Sequence, residues 1–190
     1  MCIVNAMPVK LTEPKKVYKV FILAVDKDGN ETIHSPYRTF QTWKVGVRNS
    51  EANSEGAVRQ ALRIHYKDWS MVNELHGGAF HAFVEKEDAE KMAELLASLP
   101  EYVKSLGRIF ISMNRTFRNI DIVIGECIIP QDSEYVFEGD FETYEKDDFE
   151  TTIRIQSMAS SNLIIDRILE DSKVKSWPGA KELKEKNADS

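Results

Sequence analysis

The 190-residue chain predicts a single α+β domain, a mostly antiparallel, strongly twisted sheet with one main helix packed on it. Three observations lead there. Segments rich in β-branched and aromatic residues recur along the chain, with Gly, Pro, Asn and Asp between them. Only one long stretch, residues 87–99, carries a clear helical stripe. Many strands with few long helices favour an antiparallel sheet covered on one face. At this length one core is the default.

Residues 17–25 open the sheet as a run of Val, Tyr, Phe, Ile and Leu. The sequence Asp26-Lys27-Asp28-Gly29-Asn30 is a strong turn signal, and residues 31–34 return as the hairpin partner. Ser35-Pro36-Tyr37-Arg38 breaks that strand, because proline fixes its own φ and restricts the residue before it. Residues 39–45 alternate apolar and polar side chains up to Gly46, so the opening reads as an antiparallel meander. The small polar stretch 49–56 predicts a surface loop, and Val58, Leu62, His65 and Trp69 predict a helix over 57–69.

The main helix, 87–99, buries Ala89, Met92, Ala93, Leu95 and Leu96. Glu85 and Glu87 suit the positive end of its dipole, and Pro100 stops it. A second block of strands is expected at 108–113, at 120–129 ending on Pro130, at 134–139 as a short edge segment, and at 151–155. Residues 161–169 fit strand and helix equally. The domain is expected to span 1–172, with 173–190 a polar C-terminal tail in which Trp177-Pro178 can dock.

A net charge of −6 argues against a broad nucleic-acid surface, since phosphate binding needs clustered Lys and Arg. Cys2 and Cys127 are too few for a disulfide scaffold. No apolar run is long enough to span a bilayer, and the first residues lack a signal-like apolar core. These features imply a cytoplasmic protein without a membrane partner.

The most informative stretch for function is Gly77-Gly78-Ala79-Phe80-His81-Ala82-Phe83, running into an acidic helix start. Glycines permit close backbone approach, and His81 places a titratable ring in the strand that follows. The same pattern also serves an ordinary turn-strand-helix unit. Arg38 beside Tyr37 offers a planar donor fork to an anion, or alternatively an ion pair that staples a turn. Together Tyr18, Tyr37, Arg38, Gly77, Gly78 and His81 form the candidate pocket for an anionic small molecule. Arg115 and Arg118 mark a second basic loop.

Other constellations are weaker. Cys2 becomes terminal if Met1 is removed, which can activate a thiol, but a small apolar residue beside Ile3 and Val4 is the simpler reading. Cys127 sits among isoleucines and is expected in the core. His34, His65, His76 and His81 lack metal spacing, so no metal site and no cofactor is expected. The acidic run from Glu138 to Glu150 lacks calcium-loop spacing and reads as a solvated connection, or as a contact for a basic partner.

Met1-Cys2, Tyr18-Lys19-Val20, Ser35-Pro36-Tyr37, Phe80-His81-Ala82-Phe83 with Asp88-Ala89, and Ile128-Ile129-Pro130 with Tyr135 and Gly139 resemble, in patches, a diffuse family of small proteins from phages and gut bacteria. That family implies no activity to carry over, and this chain adds a long insertion between Gly46 and Gly77. The order of elements is also similar to ADP-ribosyltransferase-like folds, which bind NAD or related nucleotides in a split antiparallel sheet. The resemblance implies a cleft near Tyr18, Tyr37, Arg38 and His81. The leading expectation is a small-molecule-binding protein for a nucleotide-like or phosphorylated ligand in a phage-related setting. The alternatives are an ADP-ribosyltransferase-like or nucleotide-processing enzyme, an N-terminal-cysteine hydrolase, or an interaction module using the acidic segment and exposed tryptophans.

Overall fold

A computed structural model of the chain describes residues 3–36, 42–50, 58–65, 68–75, 79–98, 117–144, 152–172 and 175–178. In chain order the strands are β1 (Ile3–Pro8), β2 (Lys15–Asp26), β3 (Glu31–His34), β4 (Thr42–Trp43), β5 (Arg48–Ser50), β6 (Val58–His65), β7 (Asp68–Leu75) and β8 (Phe80–Phe83). Helix α1 (Lys86–Ser98) follows, then β9 (Phe117–Ile129), β10 (Val136–Tyr144), β11 (Thr152–Ser160), β12 (Asn162–Ile168), a 3-10 turn at Glu170–Ser172, and β13 (Lys175–Pro178). All thirteen strands join one open sheet whose main path runs β5-β12-β9-β2-β8-β11-β10-β1-β7-β6. Every strand pair described is antiparallel; the isolated Val45–Ile165 bridge is parallel.

The sheet is organised by β2 and β9, which pair from Lys15↔Ile129 to Asp26↔Phe117. Both are near-continuous apolar runs, as strands covered on two faces must be. On one face Val17 and Phe21 pack with Val123, Cys127, Ile129, Leu163 and Ile165. On the other, Val20, Ile122 and Ile124 pack under α1 through Ala89, Met92, Ala93, Leu96 and Ala97. The helix face matches the expected stripe, with Leu95 half-buried at its border.

Each central strand divides its second edge between two partners. β2 takes β8 at Tyr18↔Phe83 and β3 from Ile22↔His34 to Val25↔Glu31. β9 takes β12 at residues 125–128 and β13 at 119–122. The expected hairpin is present, and the Asp26 carboxylate closes its turn by accepting from the N–H groups of Asp28 and Asn30 and from Asn30 Nδ2. Gly29 sits there at φ 87°, a conformation that favours glycine.

Several expectations are corrected. The helix expected over 57–69 is the β6–β7 hairpin: Leu62 and Ile64 also alternate with period two, and their register partners are the apolar Met71 and Trp69. Asn49 and Ser50 are not loop but the end of β5, paired with β12. The segment 134–139 is not an edge, because β10 runs on to Tyr144 between β1 and β11. Glu138, Asp140 and Glu142 therefore belong to a strand rather than a solvated connection. Residues 162–168 resolve as strand, since β9 and β5 supply partners on both edges. Within the expected C-terminal tail, residues 175–178 pair with β9. Trp43 is buried rather than exposed. The strand expected at 108–113, Pro100, and most of the loop at 51–56 lie outside the described residues.

Candidate functional site

Of the six residues singled out from the sequence, Tyr18 and His81 are described; Tyr37, Arg38, Gly77 and Gly78 lie outside the described residues, as do Cys2, His76 and Arg115. Tyr18 stands opposite Phe83 across β2 and β8, and His81, two residues on, shares that face. Both are half-buried on the helix side of the sheet. His34, by contrast, is fully buried, its Nε2 2.9 Å from Thr32 Oγ1, and belongs to the core.

β2 and β8 share one residue pair and then part. β3 arrives along the same edge from the other direction, ending with His34 opposite Ile22. Ser35-Pro36 and Phe80-His81 thus head toward one another along residues 19–21 of β2. Lys19 spans the split: its Nζ donates to the His81 carbonyl at 2.6 Å. On the face away from Tyr18 and His81, Trp43 packs edge-on to Phe21 at 5.4 Å and to Phe80 at 4.8 Å between ring centroids. The Trp43 indole Nε1 is buried and finds no hydrogen-bond partner among the described residues.

A cleft lies elsewhere in the fold. It has a volume of about 970 Å³ and opens between the loop joining β1 to β2 and the turn joining β9 to β10. Its apolar walls include Leu11, Pro14, Ile128, Tyr135, Val136 and Ile164. Lys10, Asp132 and Glu134 supply charge at the rim.

Prolines and short polar contacts build this cleft. Pro8 ends β1 and Pro14 precedes β2, each removing one backbone donor where the strand meets the loop. One bond ties its two walls: the Val9 N–H donates to the Val136 carbonyl at 2.9 Å. Pro130 ends β9, and its carbonyl accepts from the Ser133 N–H at 3.1 Å and the Ser133 hydroxyl at 2.7 Å. Arg48, on β5, reaches this turn. Its Nη1 donates to both Asp132 carboxylate oxygens, at 2.9 and 3.0 Å, and its Nη2 to Asn162 Oδ1 at 2.9 Å. The Arg48 contact holds the Asp132 carboxyl below the usual carboxylate range.

Beside the cleft lies an ion triad. Ile128 pairs with Ile164 on one side and with Lys16 on the other. Two residues along the same face, Glu126 Oε2 is 3.3 Å from Lys16 Nζ and 3.3 Å from Arg167 Nη2. The Glu126 side chain is only 11% exposed, against 59% for Lys16 and 64% for Arg167. Burial works against its ionisation, but hydrogen bonds and charge from Arg167 and Lys16 outweigh it and hold the carboxyl below its ordinary value. Lys16 Nζ also lies 5.8 Å from the Tyr18 ring centroid, linking the triad to the expected site.

Cys127 is core as expected: burial pushes its thiol up to about 12, which removes it as a nucleophile near neutral pH. Among the described residues there is no group of three or more side chains suited to a metal ion, and no helix long and apolar enough to cross a membrane. The cleft escaped the motif-based reading because its walls are spread over residues 8–14, 128–136 and 164. Its one local signal was proline: Pro8, Pro14 and Pro130 each stand at a strand end beside it. No protein-family model, no curated protein and no solved structure matches this chain.

Proposed function

We propose that this chain is a small-molecule-binding protein and that the Pro8–Pro14 and Pro130–Val136 cleft is its binding site. The observation that carries this reading is the cleft's size and chemistry: about 970 Å³, walled by aliphatic, proline and tyrosine side chains, with a few charged groups at the rim. Small-molecule sites occupy roughly 300–1,000 Å³ and have this composition. Its walls are also fixed by the Val9–Val136 bond and the Arg48–Asp132 pair, so little ordering opposes binding. The test is native mass spectrometry of the protein purified from cells, beside a fluorescence titration with the apolar probe 8-anilinonaphthalene-1-sulfonate. Ile164→Trp, which fills the cleft from a half-buried strand position, should abolish both the released ligand and probe binding while the circular dichroism spectrum is kept. Undiminished binding by that variant places the site elsewhere.

A second reading is favoured by one observation, the placement of Tyr18 and His81 on one face of the sheet where β2 and β8 part. In it a planar, nucleotide-like or phosphorylated ligand approaches Tyr18 and His81, with Tyr37 and Arg38 as further contacts. Arg38→Ala then weakens an anionic ligand by about 1.5–3 kcal/mol, the range for hydrogen bonds to charged groups. Calorimetry on this variant and on Ile164→Trp separates the two sites.

A further inference from the structure

We infer that the cleft takes an uncharged, largely aliphatic molecule and discriminates against ligands of either charge. This ligand class rests on the cleft being the binding site. Lys10, Asp132 and Glu134 are the charged residues of the lining, and Arg48 holds Asp132 through both carboxylate oxygens. With Arg48 included, two cations stand against two carboxylates, so the cleft offers a ligand no net charge. The chain as a whole carries −6, so this neutrality is local.

The bonds already made leave little for a charged head group. An anion is held by several converging donors, and Pro8, Pro14 and Pro130 contribute none from the backbone. The Val9 N–H is engaged by the Val136 carbonyl, and the Ser133 N–H and hydroxyl both donate to the Pro130 carbonyl. A cation needs a carboxylate, and that of Asp132 is already taken by Arg48. Lys10 and Glu134 are exposed and opposite in sign. An exposed charge returns little of what a head group loses on leaving water.

The floor and walls set the body of the ligand. Ile128 and Ile164 are cross-strand neighbours left half-buried, and Leu11 and Tyr135 are half-buried in the same hollow. Each methylene that covers this surface should tighten binding roughly fourfold. Chain length therefore sets affinity, and a charge on the ligand works only against it.

The experiment displaces the uncharged fluorophore N-phenyl-1-naphthylamine with octanol, decanol, decanoate and decylamine at neutral pH, each below its aggregation threshold. Decanol should compete at about tenfold lower concentration than either decanoate or decylamine, a fraction of the cost of taking a charge out of water. Octanol should need roughly fifteenfold more than decanol, the worth of two methylenes. Decanol displacement should be the same at low and at physiological salt. If decanoate or decylamine competes as well as decanol, the uncharged class is overturned while the cleft reading stands. If none of the four displaces the probe, the cleft reading itself fails. It fails equally if decanol binds undiminished to both Ile164→Trp and Leu11→Glu, two changes on different walls, with their circular dichroism spectra kept.

Discussion

Gly125 tests the packing that joins β2 to β9. An ideal Cβ built at this position lies 2.7 Å from Phe21 Cε2 and 2.9 Å from Phe21 Cδ2, well inside ordinary contact. Phe21 is fully buried and cannot swing into solvent. Its ring lies edge-on to Trp43, which in turn lies edge-on to Phe80, so the displacement is passed along a row of three aromatic rings. Overpacking of this kind costs roughly 1–3 kcal/mol. For a chain of this size, that is a fall in melting temperature of about 2–4 °C per kcal/mol. Gly125→Ala should therefore lower both the urea midpoint and the melting temperature, without changing the secondary-structure content. Phe21→Leu should lower stability on its own, but in the double variant the two losses should sum to less than their separate values, because the leucine leaves room for the methyl group. Stability of Gly125→Ala within about 0.5 kcal/mol of the parent, the usual range for a surface change, would refute the close approach. So would strict additivity in the double variant.

The Glu126 triad predicts an acid-sensitive component of stability: its folded carboxyl lies below 4.5, so the contribution is fully present above that pH and is lost as pH falls through the folded value. Urea unfolding of Glu126→Gln should show a weaker loss between neutral and acid pH than the parent, and identical pH slopes would reject the pair. In Cys2→Ser, Cys127 should be unreactive toward a disulfide reagent at neutral pH until denaturant is added, in keeping with a thiol near 12; immediate labelling of the folded protein would contradict its burial. Gly139→Ala should destabilise by about 1–3 kcal/mol, because its Cβ would stand 2.6 Å from the Val4 carbonyl oxygen, a backbone atom that moves only with the β1–β10 register.

Much of the fold was legible because local signals and tertiary partners agree there. In β2, the hairpin turn at Asp26–Asn30 and α1, residue type, periodicity and turn chemistry all point one way. The failures occur where periodicity alone decided. Val58, Leu62, His65 and Trp69 fit one helical stripe, yet the β6–β7 hairpin is set by pairing between residues up to seventeen apart in sequence, Val58 with Leu75. Asn49 and Ser50 looked like loop for the same reason: their strand character comes from β12, more than a hundred residues later. The site was less legible still. Glycine and histidine at 77–81 are visible in one window, whereas Leu11, Ile128, Tyr135 and Ile164 meet only after β1, β9, β10 and β12 have been assembled.

The divided edge of β2 explains why two hollows, rather than one, merit attention. An edge partner running the full length of β2 would cover Lys19, Val20 and Phe21 by simple ladder bonds. Here β8 claims Tyr18 and β3 claims Ile22 to Val25, and the intervening residues fall between them. Two side chains occupy the resulting space on the Phe21 face: Lys19 caps the His81 carbonyl, and Trp43 packs against Phe21 and Phe80 with an indole N–H that has no hydrogen-bond partner among the described residues. The cleft has the opposite character, because its backbone ends are bonded and Asp132 is paired with Arg48, leaving apolar surface with Lys10 and Glu134 at the rim. Strain or an unmet donor points to water or a polar ligand, while satisfied walls around an apolar hollow point to an apolar one. The two hollows therefore differ in the chemistry they can bind, and β2, running from Lys15 beside the cleft to Lys19 at the split, is the element common to both.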